Sequence, residues 1–118
     1  MDDMISPGMH ITSIGADAAG KEELDPAILK RSKIVVDDWE QASHSGEINV
    51  PFSRGMITKG NVWAEIGEIV AGLKPGRTEQ DETTVFVSTG LAIQDAATAK
   101  MAYKKALREG IGRIVEIV

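Results

Sequence analysis

The sequence predicts an α/β fold: a parallel sheet of about three strands with helices flanking it. Three observations carry that prediction. Ile34-Val35-Val36 and residues 83–87, β-branched around Phe86, are continuous apolar runs of the kind shown by strands buried on both faces. Segments with helical periodicity and legible caps lie between and after them. The two kinds of segment alternate along the chain, which requires crossover connections and so strands that run parallel.

Taken in order, residues 10–15 form a short β-prone run with Ile11, Thr12 and Ile14, bounded by Pro7-Gly8 and Gly15. Asp25-Pro26 has the form of an N-cap followed by Pro at the first helical position, opening a helix through Arg31. Residues 33–37 hold the second strand. A mixed segment follows over 38–60, beginning with one short helix around 39–43. Asn61 is placed to cap a helix whose stripe is Val62, Ile66, Ile69, Val70 and Leu73, stopped by Gly72 and Pro75-Gly76. Gly67 within that stripe costs about 1 kcal/mol against Ala, and it is expected to permit a close helix–sheet approach. After the strand at 83–87, a helix is expected over 91–109 with Gly110 as its stop. Its face of Ala92, Ala96, Ala99, Tyr103 and Ala106 is made mostly of small residues. Residues 111–118 are apolar and alternate weakly, as a last strand or a docking tail would. A small sheet with an exposed parallel edge usually needs more strands or a partner, so the chain is expected to be incomplete.

The composition narrows the function classes. With 118 residues, 42% hydrophobic and 26% charged, the chain suits one modest globular domain. The net charge of −5 is spread along the chain, which argues against nucleic acid and anionic membrane surfaces as partners. There is no cysteine, and His10 and His44 stand alone, so no metal-ligand spacing can be proposed. No apolar run approaches the ~20 residues of a membrane span. Met1 to Pro7 include two acids and no basic n-region, so a cytoplasmic location is the expectation.

In an open parallel sheet, ligands bind beyond the carboxyl ends of the strands. Here the first strand ends at Gly15-Ala16-Asp17, the second at Asp37-Asp38, and the third at Ser88-Thr89-Gly90, directly before a helix. Together they offer a carboxylate, small hydroxyls and helix-terminal amides, which favour anionic groups. The same residue types also serve as plain helix caps, and Asp37-Asp38 is read that way. His10 is read as structural, His44 as solvated, Trp39 and Trp63 as packing residues, and Lys104, Lys105 and Arg108 as a solvated helix end.

Several of these segments are recognisable. The run at 10–17, then Gly20-Lys21, Glu23-Leu24-Asp25, Ile34 to Asp38, Gln41 and Gly46-Glu47-Ile48, resembles the ornithine cyclodeaminase/mu-crystallin family. The likeness continues through residues 65–69, Gly72, Pro75-Gly76-Arg77, residues 84–90 and 92–95. Within the family the archaeal alanine dehydrogenase branch is the most similar, since its Ser-Thr-Gly-Leu-Ala-Ile-Gln-Asp run is present at 88–95. The resemblance implies a Rossmann-type dinucleotide domain, with a dimerisation domain built from both chain ends and a homodimer as the assembly. It implies NAD as cofactor and an amino acid as substrate. One branch interconverts alanine with pyruvate and ammonia; the other cyclises ornithine to proline through an imine. In both, the acid matching Asp17 is the acid/base or water-orienting group, while Ser88, Thr89 and Gly90 match positions near the nicotinamide. Lys21 falls beside the site.

The Gly-rich turn of a dinucleotide site, G-x-G-x-x-G, does not occur in this sequence. The Lys and Arg that hold the substrate carboxylate in the family belong to a preceding segment. Residues 1–118 are therefore expected to be the C-terminal part of a Rossmann-type domain plus the returning C-terminal segment, inactive in isolation. Two alternatives stand beside this: a ketimine-reductase-like activity, and a non-catalytic, self-associating truncated domain. Asp17 favours the deaminating branch.

Overall fold

The computed structural model describes residues 4–16 and 18–115. In chain order the elements are β1 (His10–Ser13), α1 (Pro26–Arg31), β2 (Lys33–Val36), α2 (Trp39–His44) and α3 (Asn49–Ser53). A 3-10 turn at Lys59–Asn61 leads into β3 (Val62–Glu65), α4 (Ile66–Val70), β4 (Thr84–Val87) and α5 (Ala92–Glu109). The strands make one four-stranded, wholly parallel sheet in the order β1-β4-β2-β3. The α/β class with flanking helices is as the sequence predicts, with one strand more than expected.

The two continuous apolar runs become the inner strands, β2 and β4, and the edge strands β1 and β3 carry the more mixed patterns. Strand position in the sheet thus follows directly from hydropathy. The extra strand is β3, and it corrects the reading of a helix from Val62. The Val62–Ile66 spacing suits one face of a helix, but Val62 and Ala64 turn inward while Trp63 is exposed, which is the two-residue period of a strand. Asn61 does not cap a helix starting at Val62; its side-chain oxygen accepts from the Thr58 N–H at 2.8 Å and closes the 3-10 turn. The helix that follows is only Ile66–Val70 and stops at Gly72, whose φ is +73°. A Cβ at Gly67 would meet nothing within 4 Å, so that glycine marks no close helix–sheet approach.

The caps are as read. Asp25 accepts from the Ala27 N–H at 2.9 Å and opens α1; Asp38 accepts from the Gln41 N–H at 2.9 Å and opens α2. One sheet face carries Ile34, Val36, Val85 and Val87 into a core with Ile28 and Leu29 of α1, Trp39 and Ala42 of α2, Ile48 and Ile57. Trp39 packs edge-on against Phe52, ring centres 5.3 Å apart. At the amino ends of the strands, Arg77 donates to the carbonyls of Gly8 (2.7 Å) and Met9 (3.2 Å) and to the Thr84 hydroxyl (3.1 Å). Lys33 reaches Glu82 at 2.7 Å and the Gly76 carbonyl at 2.9 Å. His10 Nδ1 lies 2.7 Å from the Thr84 hydroxyl, at this same end. That end of the sheet is stapled shut by polar contacts.

Helix α5 runs 18 residues, has no buried residue, and is closed by Gly110 at φ +66°. Residues 111–115 are exposed and form no strand, and 116–118 lie outside the described residues.

Candidate active site

The register brings the four carboxyl ends into line: Ser13 pairs with Val87, Val87 with Val36, and Val36 with Glu65. The chain leaving each strand therefore starts from one edge, where an open parallel sheet places its ligands.

Asp37, the residue after β2, is 5% exposed and organises the turn after β4. Its Oδ2 accepts from the Ser88 hydroxyl at 3.0 Å, the Thr89 N–H at 2.8 Å and the Gly90 N–H at 3.0 Å. Its Oδ1 accepts from the Asp38 N–H at 2.8 Å. The capping reading of Asp37-Asp38 holds, and Asp37 caps across the sheet as well as locally. The structure thus brings Ser88, Thr89 and Gly90 together, with both amides directed at a protein carboxylate. The Ser88 oxygen, having donated its proton, keeps acceptor capacity. With both amides taken by Asp37, the turn offers no free backbone donor to a phosphate.

Beyond β1, residues 14–24 form a mostly exposed loop fastened by the turn at 46–49. Glu47 is 1% exposed, and its carboxylate accepts from the Ser13 hydroxyl at 3.0 Å, the Glu23 N–H at 2.9 Å and the Leu24 N–H at 2.6 Å. Asn49 accepts from the Gly20 N–H at 2.8 Å and donates to the Lys21 carbonyl at 3.0 Å and to the Gly46 carbonyl. Gly46 has φ +76°, and a Cβ there would stand 2.6 Å from the Thr89 methyl and 3.8 Å from the Ala16 carbonyl oxygen. The loop after β1 and the turn after β4 therefore meet at Gly46. Asp17 itself lies outside the described residues, between Ala16, which is buried, and Ala18, which is exposed.

The β3 end is occupied by carboxylates with structural partners. Glu65 accepts from the Trp39 N–H at 3.1 Å, and Glu68 accepts from the Glu65 N–H at 2.9 Å. The backbone bond from Glu65, then the Lys74 ammonium, holds the Glu68 carboxyl below its ordinary range. Among the described residues no group of three or more His, Cys, Asp or Glu could hold a metal ion. No helix there is long and apolar enough to cross a membrane.

Sequence reading named Ser88, Thr89 and Gly90 but gave no role to Glu47 or Asn49. A buried acid looks like any surface acid until its partners 23–34 residues away are known. The one signal was Gly46-Glu47-Ile48, a glycine and an acid set against apolar Ile48.

Known proteins resemble this chain in sequence and fold. The family profile described as "Ornithine cyclodeaminase/mu-crystallin family" matches residues 1–110. An alanine dehydrogenase from Archaeoglobus fulgidus is 57% identical over 108 residues, which is 92% of this chain and 34% of that protein. The structure of an archaeal alanine dehydrogenase dimer with bound NAD superposes with a TM-score of 0.90 at 53% identity, covering 98% of this chain and 36% of that one. The Δ1-pyrroline-2-carboxylate reductase of Thermococcus litoralis, in complex with NADH and L-proline, gives 0.89 at 45% identity, covering 96% and 35%. The chain spans about a third of the length of these relatives. With the profile match running nearly end to end and the fold matching this closely, the chain belongs to the ornithine cyclodeaminase/mu-crystallin family.

Proposed function

We propose that the chain is the C-terminal portion of an NAD-dependent enzyme that deaminates an amino acid oxidatively through an imine. In that reading residues 1–118 are the second half of a Rossmann-type domain and its returning C-terminal segment. The observation that carries it is the meeting, at Gly46, of the loop containing Asp17 with the Ser88–Thr89–Gly90 turn, at the carboxyl edge of a parallel sheet.

The chemistry assigns the parts. Taking hydride from Cα of an amino acid makes an imine only if the nitrogen also loses a proton, and water must then add to carbon before ammonia leaves. Asp17 accepts that proton and orients the water, a role for a carboxylate within reach of a bound amine. NAD, when bound, supplies the hydride acceptor. Ser88, Thr89 and Gly90 form a turn whose hydroxyl oxygens would suit the carboxamide of the nicotinamide; its amides are satisfied by Asp37, so no phosphate sits there. No G-x-G-x-x-G occurs in the sequence, so the pyrophosphate half of the site comes from another segment, and the chain alone does not turn over. In this reading the assembled enzyme is a homodimer, supported by the likeness to an archaeal alanine dehydrogenase whose structure is of a dimer.

A second reading, reduction of a cyclic ketimine, is favoured by the likeness to the pyrroline-carboxylate reductase. It uses the same proton and hydride positions in reverse. Both are tested by grafting this chain in place of the matching segment of the Archaeoglobus fulgidus enzyme. Alanine-dependent NADH formation that falls at least ~100-fold on Asp17→Asn supports the deaminating reading. Reduction of pyrroline-2-carboxylate without alanine oxidation supports the second. A folded chimera in which Asp17→Asn retains full turnover removes Asp17 from the chemistry.

A further inference from the structure

We propose that Glu47, with Asn49, is a positioning residue for Asp17: a buried polar cradle that fixes where the loop carries its acid. The inference rests on the assignment of Asp17 to proton transfer. At its surface the loop over residues 14–23 carries two solvent-open contacts, the Gly15 N–H donating to Glu23 at 3.2 Å and Glu22 paired with Arg54 at 3.7 Å. Residues 14, 15 and 18–23 are all exposed, and Ala16 is the one buried residue described between β1 and Leu24. Hydrophobic burial therefore cannot set the loop's position.

The polar contacts can. Glu47 grips both ends of the loop with one carboxylate, through the Ser13 hydroxyl on one side and the Glu23 and Leu24 amides on the other. Asn49 grips its middle, taking the Gly20 N–H and giving one N–H to the Lys21 carbonyl. Among the described residues, the partners of the Glu47 carboxylate lie in the last residue of β1 and at the loop's far end. A carboxylate taken out of water is strongly disfavoured unless such donors surround it, and a loop needing only closure could use an apolar contact instead. The donors here fix position as well as closure. The cradle also abuts the second half of the site, because Gly46 packs against the Thr89 methyl. The loop that carries Asp17 and the turn carrying Ser88 and Thr89 are thereby fastened to one another by a turn that belongs to neither.

The test needs no turnover. On the 118-residue chain, amide hydrogen exchange and the carboxyl titration of Asp17 are followed by NMR for the wild type and Glu47→Leu. That substitution keeps the bulk and leaves the Ser13, Glu23 and Leu24 donors without an acceptor. Glu23 and Leu24 are expected to exchange at least about tenfold faster, the amides of β2 and β4 to change by less than about twofold, and the Asp17 midpoint to move. Should Glu47→Leu fail to fold, Asn49→Ala removes only the middle grip, and faster exchange at Gly20 with a moved Asp17 midpoint is expected. Unchanged loop amides overturn the proposal, as does equal acceleration in the sheet. An unmoved Asp17 midpoint also overturns it, since the cradle would then be structural only. If Asp17 has no part in the chemistry, the chimera with Asp17→Asn stays active, a result independent of these exchange rates.

Discussion

Asp37 accepts from the Asp38, Thr89 and Gly90 amides and the Ser88 hydroxyl, and it is almost fully buried. Replacing it by Ala removes the acceptor from four part-buried donors, and a donor left unsatisfied costs ~1–3 kcal/mol where water cannot reach it. Asp37→Ala is therefore expected to destabilise the chain by about 3 kcal/mol in urea unfolding; a loss below about 1 kcal/mol would mean that water replaces the carboxylate and that the turn is not built on it. A surface carboxylate behaves differently. Glu82 is held below the ordinary carboxylate range by its hydrogen bond to Lys33 and then, against some desolvation, by the Thr78 N–H. A depressed folded value means that the contribution is present above the unfolded value of about 4.5 and fades as pH falls through the folded value. The urea midpoints of wild type and Glu82→Gln should accordingly differ at pH 7 and converge toward pH 3. A gap that persists unchanged in acid would assign the effect to packing rather than charge.

Among the elements, those with one dominant local signal were legible: α1 from Asp25-Pro26, β2 and β4 from apolar runs, α5 from its periodicity and Gly110. What was not legible was decided by partners. β3 forms because β2 offers an edge to Val62 and Ala64, and a stripe that suits either period yields to that pairing. The site shows the same division. Ser88 to Gly90 stand out as hydroxyls and a glycine before a helix, whereas Glu47 and Asn49 acquire meaning only when β1 is set beside the 46–49 turn. Gly46 is the junction, and it was visible only as part of a resemblance. Its left-handed φ costs a Cβ-bearing residue ~1–2 kcal/mol, and the new methyl would press on Thr89 at 2.6 Å. Gly46→Ala is thus expected to cost about 2–3 kcal/mol, with Thr89→Ser in the same chain recovering about 1 kcal/mol by deleting the opposing methyl. Strict additivity of the two substitutions in urea unfolding would show that the two loops do not touch there.

On the scale of the whole molecule, α5 is the element that the rest of the chain does not explain. An 18-residue helix without tertiary packing is marginal in water, and this one has no buried residue. Tyr103 and Leu107 are exposed by 65% and 58%, and Ile111 and Ile114 continue the apolar surface past Gly110. A homodimer that covers this surface would stabilise the helix by association, so its order should depend on concentration. Helical circular dichroism and sedimentation mass are expected to rise together as the chain is concentrated, with α5 amides gaining protection over the same range. The double substitution Tyr103→Asp, Leu107→Asp should abolish that rise and leave the sheet's urea midpoint unchanged, because neither side chain contributes to the core formed by β2, β4, α1 and α2. A fall in sheet stability would place α5 against the sheet. A monomer at every concentration, with α5 fully protected, would show that the helix stands by local interactions alone and that the dimer is not made through this face.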